Sequence, residues 1–108
     1  MNCYPITIDE SGCAALPAAL RQELGDTAVL ALGKDQTLQF YSAAEWSESL
    51  DRMSPEALRR LRPLMATAAQ LDLTADTVTL PAALLAYARL DGSAVLHEEA
   101  GRWYLCAE

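Results

Sequence analysis

The chain has 108 residues, 52% of them hydrophobic, with 8 Lys+Arg against 15 Asp+Glu for a net charge of −7. That length makes one domain with enough apolar residues for a core, and the acidic balance repels nucleic acid and anionic membranes unless the basic residues gather on one face. No apolar run approaches the roughly 20 residues of a membrane helix, and the N-terminus lacks the basic start and apolar stretch of a signal peptide, so a cytoplasmic protein is expected.

Cys3 to Asp9 alternates and carries the β-branched pair Ile6 and Ile8, which predicts a half-buried strand. Glu10-Ser11-Gly12 turns it, with Gly12 free to take the positive φ of a tight hairpin, and Cys13 to Leu16 returns as the partner strand. Pro17 suits the first position of a helix, where its missing N–H has no intrahelical partner, and Leu20 and Leu24 share one face of that helix. Gly25 closes it. Thr27 to Leu32 and Thr37 to Tyr41 are two more strands around the turn Gly33-Lys34-Asp35-Gln36.

A helical stretch follows. Ser42-Ala43-Ala44-Glu45 has the spacing of a capping box, and Trp46 and Leu50 fall on one face beyond it. Ser54-Pro55-Glu56 starts a second helix with a cap, a first-turn proline and an acid at the positive helix end. Leu58, Leu61 and Met65 keep helical spacing, Arg59, Arg60 and Arg62 point elsewhere, and Pro63 should kink or interrupt the helix.

The rest of the chain repeats the beginning. Leu16-Pro17-Ala18-Ala19-Leu20 recurs letter for letter as Leu80-Pro81-Ala82-Ala83-Leu84, Ala28-Val29-Leu30 answers to Ala94-Val95-Leu96, and Tyr41 answers to Tyr104, at offsets of 64, 66 and 63 residues. The drift is what changes of loop length allow. Strands are predicted over Leu71 to Thr74 and Thr77 to Leu80 around Ala75-Asp76, with Asp76 in the place of Gly12 and tolerant of the left-handed region. A helix starts at Pro81. Ser93 to His97 and Arg102 to Cys106 form the last hairpin, turned by Glu98-Glu99-Ala100-Gly101. Two copies are too few for a solenoid, so a closed pair about an approximate dyad is expected.

Chemistry-bearing residues are sparse. Cys3, Cys13 and Cys106 have no CxxC spacing, which fits neither a disulfide framework nor a zinc site and leaves buried or incidental thiols. His97, the sole histidine, has the chemistry of a base but reads rather as a partly exposed strand residue beside Glu98 and Glu99. No nucleophile stands at a recognisable motif spacing, and there is no phosphate-cradling glycine loop, HExxH, GxSxG or calcium loop, so an enzyme, a metal site and a cofactor are not expected. Trp46, Trp103, Tyr41, Tyr87 and Tyr104 are not interleaved with basic residues, which favours core or subunit-interface packing over base stacking.

Asp9-x-x-Gly12-x-x-x-x-Pro17, Phe40-Tyr41 through Glu45-Trp46, Arg59-Arg60-Leu61, and Pro81-x-x-Leu84-x-x-Tyr87-Ala88-x-Leu90-Asp91 together resemble the MraZ family. These are tandem-repeat relatives of the AbrB-type swapped-hairpin transcription factors. The resemblance spans nearly the whole chain and implies an α+β, mostly β fold: a pseudo-twofold pair of swapped-hairpin units forming a small β-barrel with short helices and a helical insert. In those terms residues 1–108 are one domain, made of a first repeat at 3–41, an insert at 42–69 and a second repeat at 70–108.

The resemblance further implies a cytoplasmic, nucleoid-associated regulator of the bacterial division and cell-wall gene cluster, assembled as a homo-oligomeric ring and offering its hairpins to double-stranded promoter DNA. No membrane and no small-molecule substrate enter this picture. The family reads DNA through Asp-x-x-x-Arg in each copy. Here Asp9 is followed four places later by Cys13, and the corresponding places of the second copy are read as Leu73 and Thr77, so both arginines are missing. The DNA-binding candidates that remain are Asp9 itself and the cations Arg21, Lys34, Arg59, Arg60 and Arg62, with Arg52 beside them; each cation also reads as a solvated charge or a partner for nearby acids. Two functions stay open: a DNA-binding regulator with weakened or altered recognition, and a DNA-binding-deficient scaffold acting through protein interaction or mixed assembly.

Overall fold

In the computed structural model, which describes residues 2–107, the order strand, strand, helix, strand, strand occurs twice. The first half runs β1 (Asn2–Thr7), β2 (Cys13–Ala14), α1 (Ala18–Leu24), β3 (Thr27–Leu32) and β4 (Leu38–Ser42). An insert of α2 (Ala43–Asp51) and α3 (Pro55–Met65) separates it from β5 (Ala69–Asp72), β6 (Val78–Thr79), α4 (Ala82–Ala88), β7 (Ser93–Glu99) and β8 (Arg102–Cys106). The protein is therefore α+β with strands predominating.

Pairing crosses between the halves. Six strands form an antiparallel sheet in the order β1-β7-β8-β4-β3-β5, and β2 pairs with β6 in a separate two-stranded ribbon. The opening strand of each half thus lies on the other half: Cys3 faces His97 on β7, and Thr27 on β3 faces Asp72. This corrects the expectation that Cys13 to Leu16 returns as the partner of the first strand. Those segments are joined by no ladder, but by the Ile8–Ala14 bridge, the Asp9 N–H donating to the Cys13 carbonyl at 3.0 Å and the Cys13 N–H donating to the Asp9 carboxylate at 2.9 Å. The described ladders leave the sheet with ends at β1 and β5 and do not themselves close a barrel.

The core lies between the inner sheet face and the two short helices. Ile6, Leu30, Leu38, Phe40, Leu96, Trp103 and Leu105 from the strands meet Leu20, Leu24, Leu84 and Ala88 from α1 and α4, all of them buried. Two polar ties hold the helices down. Trp103 Nε1–H donates to Glu23 Oε2 at 3.3 Å from α1, and the Tyr87 hydroxyl on α4 donates to the Gly33 carbonyl at 2.7 Å. On β3 both faces are covered, since Ala28, Val29, Leu30 and Ala31 are all buried. α2 and α3 pack there. The insert therefore roofs the outer face of β3 and β4, with Trp46 against Tyr41 at 5.3 Å. On β7 the corresponding outward residues Val95 and His97 remain half-exposed.

Several local expectations shift. Pro17 and Pro81 stand one place before their helices as extended N-caps, with ψ of 149 and 141. The capping box at Ser42 and Glu45 is present in both directions. Pro63 does not interrupt α3, which runs on to Met65. Only two helical residues follow it, and its ring and Arg59, the i−4 residue, both lie exposed, so little is lost. β7 extends to Glu99, and the last hairpin turns on Ala100 and Gly101 alone, both at positive φ. Two such residues match the twist of the flanking strands.

The helix stops differ in a way that predicts a stabilising change. α1 ends at Gly25 with φ 93, whereas α4 ends at Arg89 in the left-handed region with φ 57. A side chain there costs about 1 kcal/mol that glycine does not incur. Because Arg89 is exposed, Arg89→Gly is expected to stabilise the fold by about 0.5–1 kcal/mol after the added freedom of the unfolded chain is subtracted. A raised urea midpoint at unchanged slope is the expected readout.

Candidate nucleic-acid interface

The ribbon of β2 and β6 is where the two hairpin turns meet. Cys13 lies opposite Thr79 and Ala14 opposite Val78. Ala14 and Val78 are buried, so strand alternation sends Cys13, Ala15, Thr77 and Thr79 outward. Cys13 Sγ and Thr79 Oγ1 are 3.5 Å apart across the ribbon. The outward row is neutral, and the exposed acids Glu10 and Asp76 stand in the adjoining turns.

Asp9 has a structural task in the first turn. Its Oδ1 accepts the Ser11 N–H at 2.8 Å and the Cys13 N–H at 2.9 Å, so the carboxylate folds back on its own loop. Gly12 completes that loop at φ +83, with its N–H on the Asp9 carbonyl and its own carbonyl accepting the Leu80 N–H at 2.8 Å. A Cβ at this position would stand 3.0 Å from the Leu80 carbonyl oxygen as well as being strained by the positive φ.

The second turn is built differently. Ile8 N–H donates to the Gly92 carbonyl at 2.9 Å, and Leu73 N–H donates to the Asp26 carbonyl at 2.8 Å, which makes Leu73 the counterpart of Ile8. Leu73 is accordingly not the counterpart of Asp9, as the sequence reading had it; Thr74 is. The second turn is one residue shorter. With that residue gone the left-handed corner is not required, and Asp76 has no positive φ. Asp72 supplies the carboxylate here, accepting the Thr74 N–H at 2.9 Å and the Thr74 hydroxyl at 2.5 Å. Those hydrogen bonds hold its carboxyl below the usual carboxylate range, because they stabilise the ionised form.

The cations fall in three places. Arg21 on α1 reaches Asp26 at 3.5 Å, with both side chains exposed, and edges a cleft of about 240 Å³ shared with Thr74, Asp76 and Val78. It is the basic candidate beside the ribbon. Lys34 lies in the β3–β4 turn and borders a second cleft, about 300 Å³, with Gln39, Arg102 and Tyr104. Arg59, Arg60 and Arg62 are exposed on α3, and Arg52 stands 3.9 Å from Glu48 on α2. No hydrogen bond or ion pair links the three sets among the described residues.

The sequence reading passed over Arg102. Its signal was register: β8 lies beside β4 with Tyr104 opposite Gln39, which carries Arg102 to Tyr41 and Lys34 on the outer sheet face. Its charge counteracts, without overcoming, the upward push that burial gives the Tyr41 hydroxyl. Among the described residues no group of three or more His, Cys, Asp or Glu side chains could hold a metal ion, and no helix is long and apolar enough to cross a membrane.

Comparison with known proteins places this geometry in context. Residues 1–61 match the family model described as "MraZ protein, putative antitoxin-like". A protein of Herpetosiphon aurantiacus named "Transcriptional regulator MraZ" is 37% identical over 102 residues, covering 86% of this chain and 70% of its own. One of the same name from Desulfitobacterium hafniense is 34% identical over 103 residues, covering 89% and 72%. A third, from Clavibacter michiganensis subsp. michiganensis, is 32% identical over 117 residues, covering 93% and 82%.

Proposed function

The chain belongs to the MraZ family, which places it with transcriptional regulators rather than enzymes, and from that premise we propose that it binds duplex promoter DNA of the division and cell-wall gene cluster with weakened recognition. One observation carries this reading. The outward row of the β2/β6 ribbon holds Cys13 and Thr77, the two places where the family's motif calls for arginine, with the neutral Ala15 and Thr79 beside them. An arginine forked onto a guanine edge supplies roughly 1–3 kcal/mol of discrimination, and each phosphate contact adds to salt-sensitive affinity. In this reading what remains for DNA is Arg21 beside the ribbon, together with Lys34 and the α3 arginines where they can reach the backbone. The two halves, residues 3–41 and 70–108, act as the paired swapped-hairpin units of a barrel, repeated around a cytoplasmic, nucleoid-associated ring that multiplies weak contacts.

A second reading is favoured by the outer face of β7 and β8, where Val95, His97, Tyr104 and Cys106 stay half-exposed while Val29 and Ala31 on β3 are buried under the insert. There the chain is a scaffold that joins other proteins or mixes with an intact relative. Titrating the purified chain against the promoter duplex at several salt concentrations separates the two. The DNA reading expects measurable binding at low salt, with a log–log slope no steeper than about −4.5 per engaged subunit, since five cations remain and each neutralised phosphate contributes roughly −0.9. Absence of binding at the lowest salt would leave the scaffold alone.

A further inference from the structure

The six-stranded sheet carries, outside the β2/β6 ribbon, a pair of side chains with chemistry that DNA binding does not use. Cys3 on β1 and His97 on β7 are directly opposed in the antiparallel register. Such pairs have Cβ atoms about 4.5–5.5 Å apart, close enough for short side chains to touch. Cys3 Sγ stands 3.3 Å from His97 Nδ1. β1 is an edge of the sheet and Cys3 is exposed, so the sulfur is open to solvent reagents.

The imidazole is held in place from its other side. Tyr104 lies opposite His97 on β8, and the two rings stack at 5.4 Å with an interplanar angle of 21°. The Tyr104 hydroxyl donates to Glu99 Oε2 at 2.9 Å. The carboxylate of Glu99 therefore fixes the phenol ring that positions His97.

We propose that Cys3 and His97 form a nucleophilic thiol–imidazole pair that exchanges with small disulfides, placing a mixed disulfide on the outer sheet face. His97 Nδ1 takes the proton of the Cys3 thiol, and the thiolate attacks one sulfur of the incoming disulfide. The Cys3–sulfur bond forms as the disulfide bond of the reagent breaks, and the departing thiolate recovers the proton from the imidazolium. Cys3 is oxidised, one half of the reagent leaves as its thiol, and no other oxidant is needed. Excess thiol reverses the step.

The two other thiols provide internal references. Cys13 faces only the Thr79 hydroxyl, which is no base. Cys106 is half-buried, and burial first, then the neighbouring Cys3, push its thiol up, which makes it the poorer nucleophile near neutral pH. The proposal is independent of DNA binding, since neither Cys3 nor His97 lies in the ribbon.

The test treats the intact chain with a chromogenic nitrobenzoate disulfide below one equivalent and locates the adduct by peptide mass mapping. Cys3 is expected to carry most of the label and to react about ten-fold faster than Cys13, as paired thiols generally do relative to ordinary ones. His97→Phe keeps a ring to stack on Tyr104 but has no base, and should bring Cys3 to within about two-fold of Cys13. His97→Gln repeats the comparison should the phenylalanine variant fail to fold, with thermal melting and the unchanged Cys13 rate reporting an intact fold. Label on Cys13 or Cys106 ahead of Cys3, or a Cys3 lead that survives removal of the imidazole, overturns the proposal.

Discussion

Trp103→Ala is expected to cost about 3–5 kcal/mol of folding stability, the range for emptying a large buried aromatic site. The ring is 2% exposed and belongs to the central core cluster. It stands on β8 opposite Phe40 on β4 and Glu98 on β7, stacks on Tyr4 of β1 at 5.8 Å and 25°, and donates its indole N–H to Glu23 on α1. One side chain thus joins four elements drawn from both halves. The lost hydrogen bond is the smaller part of the cost, because Glu23 is exposed and returns to water. The cavity is the larger part, since neighbours in a sheet cannot close on it without breaking ladders. A domain with roughly 5–15 kcal/mol of stability would become marginal. Urea unfolding should show a lower midpoint at nearly unchanged slope, and Trp103→Phe should lose less than half as much. A loss below about 1 kcal/mol for the alanine variant would mean that this core is not where the halves are held together.

Restoring cations to the ribbon is the second change with a large expected effect. Cys13→Arg and Thr77→Arg together would place two guanidinium groups on the outward row beside the exposed Thr79. Neither site is in the core, so the cost to folding should be small. Each new arginine that forks onto a guanine brings about 1–3 kcal/mol, equivalent to roughly 5- to 150-fold, and two phosphate contacts would steepen the log–log salt slope by about 2 per engaged subunit. The single variants separate the turns. Cys13→Arg sits behind the full-length turn that Asp9 and Gly12 shape, whereas Thr77→Arg sits in the turn that is one residue shorter. The first should therefore gain more than the second. Equal failure of both, in chains whose melting is unchanged, would mean that the ribbon is not aimed at DNA.

Much of this arrangement was legible in the residues because local signals agreed with one another. Strand alternation, the capping box at Ser42 and Glu45, the Pro-led helices and the Gly25 stop all depend on neighbours within a few positions, and these elements stand within one or two residues of expectation. What failed was of another kind. A strand's period reports which side chains face inward but not which strand lies beside it, so the partner of β1 was assigned to β2 when it is β7. The Leu73 and Asp76 expectations failed through counting: without the hydrogen bonds of Ile8 and Leu73 a one-residue deletion in the turn cannot be located, so Leu73 stands one place out of step and Asp76 is asked for a positive φ that the shorter turn does not need. Arg102 escaped notice for the same reason as the Cys3–His97 pair, since each depends on residues 61 to 94 positions away.

Sequence by itself determined the duplicated order of elements, the insert between the copies, the absence of arginine at Cys13 and Thr77, and the resemblance that led to the family. All of these are local patterns or comparisons of one stretch with another. The tertiary structure alone decided that the opening strands exchange between halves, that Asp9 is occupied by its own turn, that the insert buries the outer face of β3 while that of β7 stays half-exposed, and that a cysteine near the start meets a histidine near the end. Those outcomes follow from which distant surfaces bury the most apolar area together while satisfying their backbone ladders, and no short stretch of residues contains that information.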